Sequence, residues 1–92
     1  MSENAVKFDL IEAYRERLDE IDEALVPLLE ERLKIAAEIG KVKRERGLEI
    51  EDIKREKEVL EHIVNQVQNP DFKERVRSLF KEIIRVSKET QR

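Results

Sequence analysis

An all-α fold, with three helices per chain (long, short and medium) in an intertwined antiparallel homodimer, is predicted by three observations. The 92 residues are 45% charged and only 4% aromatic, with two glycines. That mix, rich in Glu, Lys, Arg, Leu and Ile, favours helices over sheet. Apolar residues recur in steps of three and four along most of the chain, the signature of amphipathic helices. The first such run is too long for one small globule to cover.

The chain reads as one domain, 1–92, near the lower size limit for a self-sufficient core. Met1–Phe8 is expected to be a frayed lead-in. Asp9, with Glu12 three residues on, reads as a capping box that starts helix 1. Its seam runs through Ile11, Tyr14, Leu18, Ile21, Leu25, Leu28, Ile35, Ile39 and Val42, to an end near Arg46. Pro27 removes one backbone hydrogen bond, but Ile21, Leu25 and Leu28 stay in phase, which predicts a kink and not a break. Gly47 is the expected C-cap, after a basic last turn of Lys41, Lys43, Arg44 and Arg46.

Leu48–Glu51 is a short connection. Helix 2 is expected from about Glu51 to Gln68, with Ile53, Leu60, Ile63, Val64 and Val67 inward and Glu56 on the same stripe. Asn69-Pro70 supplies an N-cap and a first-turn proline for helix 3. Its inward face is Phe72, Val76, Leu79, Phe80, Ile83 and Ile84, and the stripe continues to Ser87 and Gln91.

Helix 1 also carries charge where its seam should be apolar. Arg32 holds the position between Leu28 and Ile35. A guanidinium there is costly unless something anionic meets it. Lys43 follows eleven residues later, about three turns on, within about 20° of the same face and roughly 16 Å along the axis. Two long cations over Ala36 and Ile39 make a slot for a small dianion.

A helix of some 35 residues is about 50 Å long, while a compact chain of this size spans nearer 30 Å, from a radius of gyration of roughly 12 Å. Two copies of helix 1, antiparallel about a two-fold axis near Val26, remove the conflict. Arg15 of one chain then lies opposite Ala37 of the other, between Arg32 and Lys43. Within its own chain Arg15 is about 25 Å from Arg32, so the third cation has to cross the interface.

Composition narrows the partners. Net charge is −3 with pI near 5.3 and both signs interspersed, which speaks against a nucleic-acid or anionic-membrane surface. Without cysteine there is no disulfide or thiolate metal site, and a single histidine, His62, speaks against a histidine-based one. His62 reads as a surface or boundary residue. No apolar run reaches membrane-spanning length and no signal peptide is evident, so a cytoplasmic protein is expected. The high Glu, Lys and Arg content hints at a thermophilic source.

The combination Arg15-Glu16-Arg17-Leu18, Asp22, Leu28-Leu29, Arg32, Ile39-Gly40-Lys41-Val42-Lys43, Asp52-Ile53-Lys54-Arg55-Glu56, Ser87 and Gln91 resembles the all-helical chorismate mutases. The resemblance covers about Asp9 to Gln91. It implies a cofactor-free Claisen rearrangement of chorismate to prephenate, in aromatic amino-acid biosynthesis. It further implies that Arg15 of the partner chain and Arg32 bind the two carboxylates, with Ser87 assisting and Arg55 adding positive charge. Lys43 and Gln91 would donate to the ether oxygen, and Glu56, with Asp52 beside it, would hold the ring hydroxyl. Lys88 departs from the apolar cover expected next to Ser87. No fused regulatory domain is expected.

Each residue alone has a plainer reading. Arg32 could be a snorkelling core-edge arginine, Arg55 a solvated one, Glu56 a structural ion-pair partner, and Ser87 with Gln91 a fraying helix end. A non-catalytic dimerisation module would pair the inward charges with one another and leave no anion slot. An isochorismate-pyruvate lyase would keep the fold and change the reaction.

Overall fold

The computed structural model describes the backbone from residue 3 to 92 and the side chains from residue 9 to 92. The chain folds as α1 (Glu3–Glu45), α2 (Ile53–Gln66), a single 3-10 turn (Pro70–Phe72) and α3 (Lys73–Gln91). There is no strand among the described residues.

The start of α1 corrects the expectation. Residues 3–8 are helical and not a lead-in, so Asp9 lies inside the helix and caps nothing. Nothing between Glu3 and Asp9 is a glycine or proline, so no local signal stops the helix from extending upstream. Glu12, freed from a capping role, accepts from Arg15 Nη1 at 2.9 Å. The expectation for Met1 and Ser2 lies outside the described residues.

Pro27 is accommodated within α1 without a break. The C-terminal end follows from Gly47. Its φ of 66° is a left-handed conformation open to glycine at little cost. There Leu48 N–H donates to Lys43 O at 2.7 Å and Gly47 N–H to Arg44 O at 3.2 Å. This pair of bonds is the Schellman motif, which satisfies carbonyls the helix leaves unpaired.

α2 starts at Ile53 because Asp52 is its N-cap, accepting from Arg55 N–H at 3.0 Å. It ends two residues early, in a tight turn from Val67 N–H to Val64 O at 3.2 Å. Asn69 caps as expected, accepting from Asp71 N–H at 3.0 Å. The turn it starts is 3-10 in form, and α3 begins at Lys73.

The chain divides into two units, Met1–Glu31 and Arg32–Arg92. In the first, the seam residues Ile11, Tyr14, Leu18, Ile21, Leu25 and Leu28 are between 41% and 68% exposed. In the second, α2 packs on α3. Ala36 and Ile84 form the buried apolar centre, with Ser87 buried beside them. Leu60, Ile63, Val64, Val67, Val76, Phe80 and Ile83 are half-buried around it. Ile53, Phe72 and Leu79, expected to face inward, are exposed. Ile53 opens α2, Phe72 sits in the 3-10 turn, and α3 turns its Phe80–Ile84–Ser87 stripe inward, leaving Leu79 about 100° away from Phe80.

Candidate functional site

The Arg32–Arg92 unit encloses a cavity of about 440 Å³. Small and branched apolar side chains, Ala36, Ile39, Val59 and Ile84, supply its walls. Seven of the eight residues singled out from the sequence line it: Arg32, Lys43, Asp52, Arg55, Glu56, Ser87 and Gln91. The eighth, Arg15, belongs to the other unit. His62 is exposed and is not part of the lining.

Helical spacing accounts for the convergence. Arg32, Ala36, Ile39 and Lys43 share one face of α1, and Ser87 and Gln91 lie one turn apart on α3. Arg32 Nη1 donates to Ser87 Oγ, and the Ser87 hydroxyl donates in turn to Ile83 O at 2.8 Å. Ser87 therefore presents a lone pair to Arg32, its one proton being used a turn back along α3. Lys43 Nζ donates to Ile50 O at 2.9 Å and to Gln91 Oε1 at 3.1 Å. The second bond orients the Gln91 amide and leaves its NH₂ as a donor.

Among the described residues, neither Arg32 nor Lys43 meets a carboxylate. Their partners are a hydroxyl, a carbonyl and an amide. Half-buried cations with only neutral partners keep most of their attraction for an anion.

The acidic side of the cavity is arranged differently. Glu56 pairs with Lys88 at 2.8 Å, and Lys88 also reaches Glu51 at 3.4 Å. The hydrogen bond to Glu56 raises the Lys88 pKa above that of a free lysine. The stability this pair contributes is fully present below the ordinary lysine pKa and is lost as pH rises through the raised value. The ion pair is thus intact throughout the neutral range. Asp52 is engaged as the α2 cap, and the Arg55 guanidinium pairs with Glu58 at 3.8 Å. Four cations and two carboxylates line the cavity, leaving two positive charges unbalanced.

Three participants escape a reading of the sequence. Lys88 looks out of place there, yet it is the partner that fixes Glu56. Gly40 lies mid-helix against the end of α3, where any Cβ would sit 2.7 Å from Gln91 Cα and closer still to Gln91 O. Arg44 Nη1 donates to Gln91 O and reaches Arg92 O at 3.5 Å. A glycine inside a helix costs about 1 kcal/mol against alanine, and that cost is the available signal for a close approach at Gly40.

No helix among the described residues is long and apolar enough to cross a membrane. They hold no cluster of His, Cys, Asp and Glu able to bind a metal ion.

Comparison with known proteins places this arrangement. Residues 14–92 match the family described as chorismate mutase type II. Among solved structures, the chain is similar to a conserved hypothetical protein from Pyrococcus furiosus, with 41% identity, a TM-score of 0.74, and 90% of this chain and 96% of that one covered. It is also similar to a chorismate mutase (form II) from Thermus thermophilus, with 36% identity and a TM-score of 0.82 over 88% of this chain and 92% of that one. No curated protein matches the chain.

Proposed function

The chain belongs to the chorismate mutase type II family, and from that premise we propose that it converts chorismate to prephenate in the cytoplasm, without a cofactor, on the route to phenylalanine and tyrosine. The observation that carries this reading is the pair of cavity cations, Arg32 and Lys43, held by neutral groups alone among the described residues. A dianionic substrate also balances the two excess positive charges of the lining. The dimerisation-module reading required the inward charges to pair with one another. Glu56 and Lys88 do so, but Arg32 and Lys43 do not.

A pericyclic rearrangement needs no nucleophile or general base. It needs the reactive conformer held in place and the charge developing on the ether oxygen stabilised. Arg32 binds one carboxylate with its planar fork. Ser87, its proton engaged at Ile83 O, serves by holding Arg32. Lys43 and the Gln91 NH₂ donate to the ether oxygen, the bond between them setting their spacing. Glu56, anchored by Lys88, accepts from the ring hydroxyl. Asp52 and Arg55 stand beside it and set the local charge.

The second carboxylate falls to Arg15 of the partner in an antiparallel homodimer. Two observations support that assembly: the exposed apolar seam of α1, and the pairing of Arg15 within its own chain to Glu12 alone among the described residues. The observed bounds of α1 put its midpoint at Ala24. With the two-fold axis there, the partner's Arg15 moves from opposite Ala37 to opposite Leu33, next to Arg32. In either register it falls within the Arg32–Lys43 stretch.

Incubation with chorismate and, separately, with isochorismate tests the reaction. Prephenate from chorismate is the expected product. Pyruvate from isochorismate alone would assign the fold to lyase chemistry, and no product from either would leave a binding module.

Turnover is expected to be nearly flat between about pH 6 and 8, because arginine, lysine and glutamine do not change charge there. A pH–rate profile checks this. A steep change in that window would reveal an acid or base that the proposed mechanism does not contain.

A further inference from the structure

Gln91 does its proposed work from the last turn of α3, the part of a helix most prone to fray. Three contacts hold that turn against α1. Gly40 lets the Gln91 backbone approach to a distance that any side chain would block. Lys43 holds the Gln91 side chain. Arg44, next in sequence to Lys43 but directed past the cavity, donates to the carbonyls of Gln91 and Arg92. Those carbonyls have no partner within α3, and they carry the negative end of its dipole, where a guanidinium is most favourable. Arg44 itself is exposed and lines no part of the cavity, so it has no direct route to a bound ligand.

We propose that Gly40 and Arg44 form a clamp that docks the end of α3 and so positions the Gln91 amide beside Lys43. Arg44 is a positioning residue that acts through Gln91 and touches no substrate. The inference rests on the mutase reading for its kinetic consequence, while the docking itself can be measured without turnover.

The test is a double-mutant cycle. Arg44→Ala is expected to lower kcat by roughly tenfold with KM little changed, the size of loss that follows a misplaced catalytic group. In a Gln91→Ala background, the same substitution is expected to change kcat by less than about twofold, because the amide that the docked turn positions is gone while the backbone contacts of Arg44 remain. Arg44→Lys, which keeps the charge and one donor, is expected to restore part of the rate. Gly40→Ala, which forces the helices apart, is expected to exceed the Arg44→Ala loss. An equal loss from Arg44→Ala in both backgrounds would overturn the proposal, as would unchanged kcat in the wild-type background.

Hydrogen exchange separates this outcome from failure of the mutase reading. Amides of residues 88–91 are expected to exchange faster in Arg44→Ala than in wild type, with the rest of α3 unchanged. If the wild-type protein makes no prephenate yet those amides are released, the clamp stands and the assigned reaction falls. If they exchange at the wild-type rate, the clamp itself is refuted.

Discussion

Lys43→Ala is expected to lower kcat by roughly 10²–10³, the loss that follows removal of a donor to a developing oxyanion. The lysine serves the proposed site twice. In the proposed mechanism its ammonium donates to the ether oxygen, and its bond to Gln91 Oε1 orients the amide that would be the second donor. Removing it deletes one donor and releases the other. The structural cost is smaller, since the tertiary partners lost are the Ile50 carbonyl and the Gln91 amide. Steady-state kinetics with chorismate, beside a far-UV circular dichroism melt, separates the two effects. A folded variant that retains most of its turnover would remove Lys43 from the chemistry.

The second large effect is a recovery. Arg15→Ala and Lys43→Ala homodimers are each expected to be nearly inactive, one lacking the crossing arginine in both sites and the other lacking the lysine. A heterodimer of the two contains one site with both residues and one with neither. Random reassortment makes about half the dimers mixed, each with one good site, so activity should return to about a quarter of wild type. The chains are to be unfolded and refolded together, with mixing verified by native mass spectrometry. Equal mixing without recovery would show that Arg15 and Lys43 do not serve one site across chains.

Much of this molecule can be read from spacing. Steps of three and four locate all three helices, and Gly47 and Asn69-Pro70 mark ends that the structure places within a few residues. The cavity residues were legible for the same reason: a charge on an apolar stripe, as at Arg32 and Glu56, is conspicuous when the stripe is regular. The start of α1 was not legible, because Asp9 and Glu12 form a capping pattern that an upstream helical run overrides. Asp52 lines the cavity as a ligand candidate would, and its second role, as the N-cap of α2 through Oδ1, was not read from the sequence. Lys88 and Arg44 were hidden by distance along the chain. Their partners, Glu56 and the Gln91 carbonyl, lie on other helices, and no local pattern connects them.

The ties among the cavity side chains bear on the thermodynamics of whatever fills it. Arg32, Lys43, Gln91 and Glu56 are each held by a neighbour before any ligand arrives. Long side chains of this kind forfeit up to about 2 kcal/mol of rotamer freedom apiece when ordered, and here folding has already ordered them. A ligand entering the cavity therefore finds little side-chain motion left to freeze. Its capture should carry only a small side-chain entropy penalty.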